Sequence, residues 1–279
     1  MDSHFSAINA ISAHISTAYS FPNDPTEIDR LDFQYEILKY TFQDRNYFAP
    51  LSNPKRILDI GTGTGQWAIE MGDEFPNAKI EGTDLSPIQP SSVPENVHFF
   101  IDDASDDDWV MPPNHYDYIH TRMMLGSFRD FKEIIQKSLH YLKPGGYMES
   151  QEIVPTPYCD DGTMPSDWAF MDWVRTSDEA AMAADRPLRI GSRLKKWYEA
   201  VGFVDVQERI FKLPIGPWPR DINLKHLGQM HQDNWLAGIQ GFSMGPFTRA
   251  LNWNKTEIEV SVTQIILRGS LTDRCRYTW

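Results

Sequence analysis

Residues 57–71 read ILDIGTGTGQWAIEM, and this stretch decides the fold. An apolar run, Ile57-Leu58-Asp59-Ile60, breaks at Gly61, Gly63 and Gly65, and helical apolar spacing begins at Gln66. A strand, a glycine turn and a helix in succession bring backbone N–H groups and a helix N-terminus up against a ligand. The spacing is G-x-G-x-G and residue 66 is not glycine, which argues against the turn that binds NAD or FAD. No Gly-Lys-Ser/Thr follows, which disfavours a nucleoside triphosphate.

Outward from this turn the chain alternates. Strands are predicted at Arg56–Ile60, 79–83, Val97–Ile101, 116–120 and 147–153, with helices at Gln66–Glu74 and 131–142. That alternation implies a mostly parallel sheet covered by helices on both faces. Upstream, EIDRLDFQYEILKYTF spaces Ile28, Leu31, Ile37 and Leu38 as a helix does. Downstream, helices are expected at 167–182 and 192–201 and a sixth strand at 204–213. Residues 219–252 should form helices over a pocket, and Asn254 with Glu257 fits a capping box opening a last helix over 255–271. The expected organisation is a helical arm or lid over 1–50, a cofactor-binding core over 51–214, and a helical lid with the C-terminal segment over 215–279.

The 279 residues suffice for one large α/β domain. Lys+Arg of 26 against Asp+Glu of 39 gives a formal net charge of -13, a poor match to a phosphate backbone, so no nucleic-acid partner is expected. The two cysteines, Cys159 and Cys275, form neither a metal-ligand spacing nor a disulfide framework, and no metal is expected. The opening MDSHFSAINAISAHIS shows no secretory pattern, and no apolar run approaches a membrane span. The expected compartment is the cytoplasm, with the nucleus as alternative.

Two carboxylate positions narrow the ligand. Asp84 follows the second strand, where a carboxylate accepts hydrogen bonds from ribose hydroxyls. Asp102 and Asp103 follow the third, within reach of an adenine amine. Adenine and ribose without pyrophosphate fit S-adenosylmethionine, bound where ligands of parallel sheets sit, at the strands' C-terminal edge.

The pieces EIDRLDFQYEIL, ILDIGTGTGQWAIEM, GTDLSPIQP, VPENVHFFIDDASDDDW, YDYIHTRMMLGSF and LKPGGYMESQEI resemble the LaeA-like family of fungal methyltransferases. These are class I, Rossmann-like, S-adenosylmethionine-dependent enzymes. The resemblance implies a seven-stranded sheet ordered 3-2-1-4-5-7-6 with an antiparallel last strand. In the family that final strand follows a segment like Arg276-Tyr277-Thr278-Trp279, so here it is expected to be missing. The resemblance also implies that Asp59, Gly61, Gly63 and Gly65 cradle the methionine end of the cofactor. Asp84 would bind the ribose, Leu85 would flank the adenine, and Asp103 with Ala104 would read the adenine edge. His120, Thr121 and Arg122 would lie near the methyl donor, and residues 20–38 would form part of the lid.

His120, ending the fourth strand, is the first candidate for a general base, with packing beneath the cofactor as the alternative. Glu149 and Glu152 flank the end of the fifth strand on opposite faces, and Glu152 is the better second candidate. His226 and His231 are five apart and do not share a clean helical face. Trp218, Met230, Trp235, Phe242, Met244, Phe247 and Trp253 suit either a pocket for a flat apolar molecule or the packing of lid helices. The expected activity is O- or N-methylation of a small specialised metabolite. The alternatives are a regulator of secondary metabolism acting through protein partners, or a pericyclase-like enzyme that binds the cofactor without transferring its methyl group. A homodimer or a regulatory partner is compatible with each.

Overall fold

The computed structural model describes residues 24–107, 109–159, 162, 164–267 and 275–278. The N-terminal stretch discussed above, the first part of the arm and residues 268–271 lie outside the described residues. Five strands, β1 (Arg56–Ile60), β2 (Lys79–Asp84), β3 (Val97–Ile101), β4 (Tyr116–Arg122) and β5 (Leu142–Gln151), form a sheet ordered β3-β2-β1-β4-β5. All four pairings are parallel. The order reverses between β1 and β4, the switch point at which such sheets leave a crevice for ligand. In register, Asp59 on β1 stands beside Gly82 on β2 and His120 on β4.

The apolar runs of the strands feed two cores, because successive side chains point to opposite faces. Ile57 and Tyr118 join Tyr35 of α1 (Pro25–Thr41) and Trp67 and Met71 of α2 (Gln66–Glu74). Leu58 and Ile119 join Phe131, Ile134 and Ile135 of α3 (Phe131–Tyr141) and Tyr198 of α5 (Leu194–Val201). Helices therefore cover both faces. Ile57 is fully buried, so truncating it to alanine should cost about 2–5 kcal/mol.

A third core lies beyond the sheet. It joins Phe170 and Trp173 of α4 (Ala169–Ala183), Ile239 and Phe247 of α6 (Ile222–Leu251), and Ile258 and Val262 of α7 (Lys255–Leu267). Local signals fix these helices. Asp24 caps α1 by accepting the Glu27 N–H at 3.0 Å, and Pro25 takes the first helical position, which needs no N–H. The capping box at α7 forms in both directions: Asn254 N–H donates to Glu257 at 2.7 Å and Glu257 N–H to Asn254 at 3.0 Å. Residues 219–252, expected as several helices, contain one helix of 30 residues that ends with Asn252 at φ 59°.

The described residues depart from the expected sheet. The strand expected at 204–213 is extended only at β7 (Lys212–Pro214). Residues 204–211 join no ladder, and Val204 and Ile210 are 82% and 65% exposed. A strand must satisfy its N–H and C=O groups on a neighbour, and this segment has none among the described residues, so its alternating apolar pattern finds no sheet face there. β7 instead pairs antiparallel with β8 (Cys275–Thr278), which pairs with β6 (Val154–Cys159) in a separate sheet ordered β6-β8-β7. β6 carries Pro155 and Pro157, which suits its place at an edge and hid it in the sequence. Among the described residues the parallel sheet thus has five strands rather than the six read in the sequence. Although the final antiparallel strand is expected to be missing, an antiparallel strand, β8, lies between β6 and β7.

Candidate active site

A cavity opens at the C-terminal ends of β1, β2 and β4. It is lined by Asp59, Gly61, Gly63, Asp84, Leu85, Asp103, Ala104 and His120, which come from four strands and the turns after them. Gly61 and Gly63 have φ of 70° and 58°, a backbone that favours glycine. A Cβ at Gly63 would meet no protein atom within 4 Å, so that position faces open space. Gly65 does not line the cavity. It caps α2 at φ 82°, and a Cβ there would lie 2.4 Å from the Phe99 ring. Its glycine serves the packing of the turn on β3.

Asp84 ties the turn to the second strand. Its Oδ2 accepts the Gly63 N–H at 2.8 Å and its Oδ1 accepts the Ser86 N–H at 2.9 Å. Burial pushes its pKa up, against the pull of these N–H groups. Each oxygen keeps a lone pair for a further donor. Asp103 accepts the Ser105 N–H at 2.9 Å, and beside it burial, then the neighbouring carboxylates of Asp106 and Asp103, raise Asp102.

Asp59 and His120 form a buried pair. Asp59 Oδ1 lies 2.7 Å from His120 Nδ1, and its Oδ2 accepts the Thr62 hydroxyl at 2.7 Å. The imidazole is fully buried and stacks on Trp67 at 3.9 Å with an interplanar angle of 8°. With Nδ1 engaged by the carboxylate, the other ring nitrogen of His120, Nε2, has no partner among the described residues. Thr121 points to the other face, where its hydroxyl donates to Ser150 at 2.8 Å.

Glu152 stands elsewhere. It lines neither this cavity nor its neighbour, because its carboxylate turns onto the Met124 N–H at 2.8 and 3.0 Å. Burial pushes its pKa up to about 8. Glu149 is likewise engaged, accepting the Phe48 and Ala49 N–H groups at 2.8 and 3.0 Å. Of the two histidines five apart, His226 is exposed, edge-on to Tyr40, and His231 is buried. His231 Nδ1 bonds the Pro214 carbonyl at 2.9 Å and its Nε2 accepts the Trp235 indole N–H at 2.9 Å.

Residues 33–208 match the family model of a methyltransferase domain. Methyltransferase pytC of Aspergillus terreus is 40% identical over 89% of this chain and 76% of its own length. Secondary metabolism regulator LAE1 of Cochliobolus heterostrophus is 35% identical over 85% of this chain and 78% of its own. Protein-methionine methyltransferase laeA of Emericella nidulans is 31% identical over 86% of this chain and 65% of its own. The chain belongs to the LaeA-like family of fungal S-adenosylmethionine-dependent methyltransferases.

The methyltransferase's cavity suits that cofactor on two counts. Gly63 faces open space beside an Asp84 carboxylate with lone pairs to spare, as an adenosyl ribose requires. Arg122, at the end of β4, offers a cation. Its Nε donates to Gln151 at 2.7 Å and its guanidinium lies 5.3 Å from the Tyr35 ring, while its buried Nη1 has no partner and it forms no ion pair among the described residues. The Asp59 and Glu149 carboxylates act on this guanidinium from beyond ion-pair distance, and its buried Nη1 leaves a donor that the carboxylate of a methionine moiety could take up. The sequence placed Arg122 nearby but gave no sign that one of its donors would be left without a partner among the described residues.

A second cavity of the methyltransferase lies between α1, α4 and α6. Trp173, Trp235, Phe242 and Pro246 give it aromatic and apolar walls, and Leu31, Gln34, Leu38, Met123, Gly126, Ser127 and Arg186 belong to both cavities. Met123 at the seam has φ 56°, held where Glu152 grips the next residue's N–H. No helix among the described residues is long and apolar enough to cross a membrane.

Proposed function

We propose that the protein methylates an oxygen or nitrogen of a small, largely apolar specialised metabolite held in the second cavity. The observation that carries this reading is the shared wall: seven residues line both the aromatic chamber and the cavity at the sheet's C-terminal edge. The name of the pytC relative, a methyltransferase, supports it. S-adenosylmethionine supplies an electrophilic methyl group on a sulfonium, and the protein's share is alignment and proton handling.

In this reading Asp84 holds the ribose, Asp103 and Ala104 the adenine edge, and Arg122 the carboxylate. Gly61 and Gly63 let the backbone approach, and Gly65 shapes the turn beneath them. His120 takes the acceptor's proton on Nε2, and the Asp59 carboxylate stabilises the imidazolium that results. Glu152 acts indirectly, through the Met124 N–H. The test is transfer of label from methyl-labelled cofactor to flat polyketide or alkaloid acceptors bearing a hydroxyl or amine. Label that never leaves the cofactor across a broad acceptor panel would refute the reading.

A second reading draws on the relatives named as a secondary metabolism regulator and a protein-methionine methyltransferase. There the acceptor is a protein side chain. Label appearing in protein rather than in a small molecule would select it.

A further inference from the structure

One polar cluster on the second cavity joins α1 to α6, and its hydrogen bonds run in one sense. Arg30, 6% exposed, donates Nε and Nη2 to the two oxygens of Glu27, at 2.8 and 2.7 Å. Its Nη1 donates to Gln34 Oε1 at 2.8 Å and to Asn234 Oδ1, across on α6, at 3.1 Å. The Phe242 ring covers the guanidinium at 4.9 Å. Gly238 permits this approach, since a Cβ there would stand 2.9 Å from Arg30 Cδ.

A guanidinium only donates, so both amides must turn their oxygens towards it. Their NH2 groups are then what they have left to offer. Neither amide nitrogen has a partner among the described residues, and both residues line the cavity. Asn234 is 5% exposed and lines the cavity, so a ligand there can accept from its free amide donor. The wall's carboxylates are occupied, Glu27 by Arg30 and Asp178 by Arg189. Ser177, on α4, also lines the cavity and carries a buried hydroxyl without a partner among the described residues.

We propose that the methyl acceptor carries a carbonyl or carboxylate oxygen that docks on the amide NH2 groups of Gln34 and Asn234, whose orientation Arg30 fixes. Gln34 belongs to both cavities, so this oxygen sits near the seam with the cofactor. Molecules offering only donors at that point, such as ammonium ions, are rejected there. The proposal names the substrate class within the acceptor-chamber reading and rests on it.

The experiment compares 2-acetylnaphthalene with 2-isopropenylnaphthalene, which differ only in C=O against C=CH2. Binding of each to the full chain saturated with S-adenosylhomocysteine is followed by tryptophan fluorescence. The informative variant is Asn234→Asp, which still accepts from Arg30 but has no N–H to give. The ketone should bind this variant roughly five- to tenfold or more weakly than it binds the wild type, the loss expected for one hydrogen bond. The alkene should bind both alike, which also shows that the variant is folded. Arg30→Met, which frees both amides to rotate, should narrow the ketone's advantage in the same direction. An unchanged ketone-to-alkene ratio in Asn234→Asp overturns the docking proposal and leaves the chamber standing. Failure of both probes to bind the wild type overturns the chamber and the proposal together.

Discussion

Asp84 does two jobs at once, bracing the glycine turn and presenting a carboxylate to the cavity. Asp84→Ala should therefore weaken S-adenosylhomocysteine binding on the order of a hundredfold by calorimetry, as expected for losing two hydrogen bonds to a charged group. Arg122 allows a sharper comparison. Arg122→Met should lower affinity for S-adenosylhomocysteine about tenfold or more while leaving 5′-methylthioadenosine, which has no carboxylate, nearly unaffected. Two buried groups set opposite pH slopes. Burial lowers His231 to about 4, so the unfolded chain takes up its proton first and stability falls as pH drops from 6.5 towards 4. Burial raises Glu152 from 4.5 to about 8, so the unfolded chain loses its proton first and stability falls as pH rises through that window. Glu152→Gln, which keeps an oxygen for the Met124 N–H, should flatten the alkaline slope and melt above the wild type at pH 8.

At the scale of elements, glycines separate backbone freedom from packing. Gly63→Ala meets no atom but must hold φ 58°, so its cost should stay near about 1–2 kcal/mol in chemical denaturation. Gly228→Ala on α6 would place a Cβ 2.1 Å from the Gly216 carbonyl oxygen and should cost clearly more, because backbone cannot swing aside. The first of these glycines was legible in the sequence and the second was not. The turn at 61–65 is a local motif bounded by a buried strand and an amphipathic helix, so its elements and the Asp84 and Asp103 tips could be read directly. Gly228, Gly238 and Pro246 instead look like breaks, and the sequence suggested several helices where α6 runs unbroken. Burial against α1, α4 and α7 outweighs their poor helical propensity. The strand expected at 204–213 failed for the converse reason: an alternating pattern proposes a strand, but only a neighbour can accept it.

For the molecule as a whole, three cores divide the work. Two clamp the sheet whose C-terminal edge bears the first cavity, and the third packs α4, α6 and α7 together beside the second. The trapping of His120 between Asp59 and Trp67, and the cross-helix bond from Arg30 to Asn234, depend on long-range contacts that no local pattern announces. Binding to the folded state alone should raise the melting temperature, with about 2.7 kcal/mol of added stability when S-adenosylhomocysteine is present at 100 times its Kd. Arg122→Met should shrink that thermal shift without lowering the melting temperature of the free protein by a comparable amount. The seven residues common to both cavities carry a consequence for inhibition. Since each occupant touches a surface the other also touches, any factor by which the cofactor strengthens a compound in the aromatic chamber must be returned in equal measure. The potency of such a compound will then depend on how much of the enzyme already carries cofactor, so its effective dose is set partly by the cell's cofactor supply.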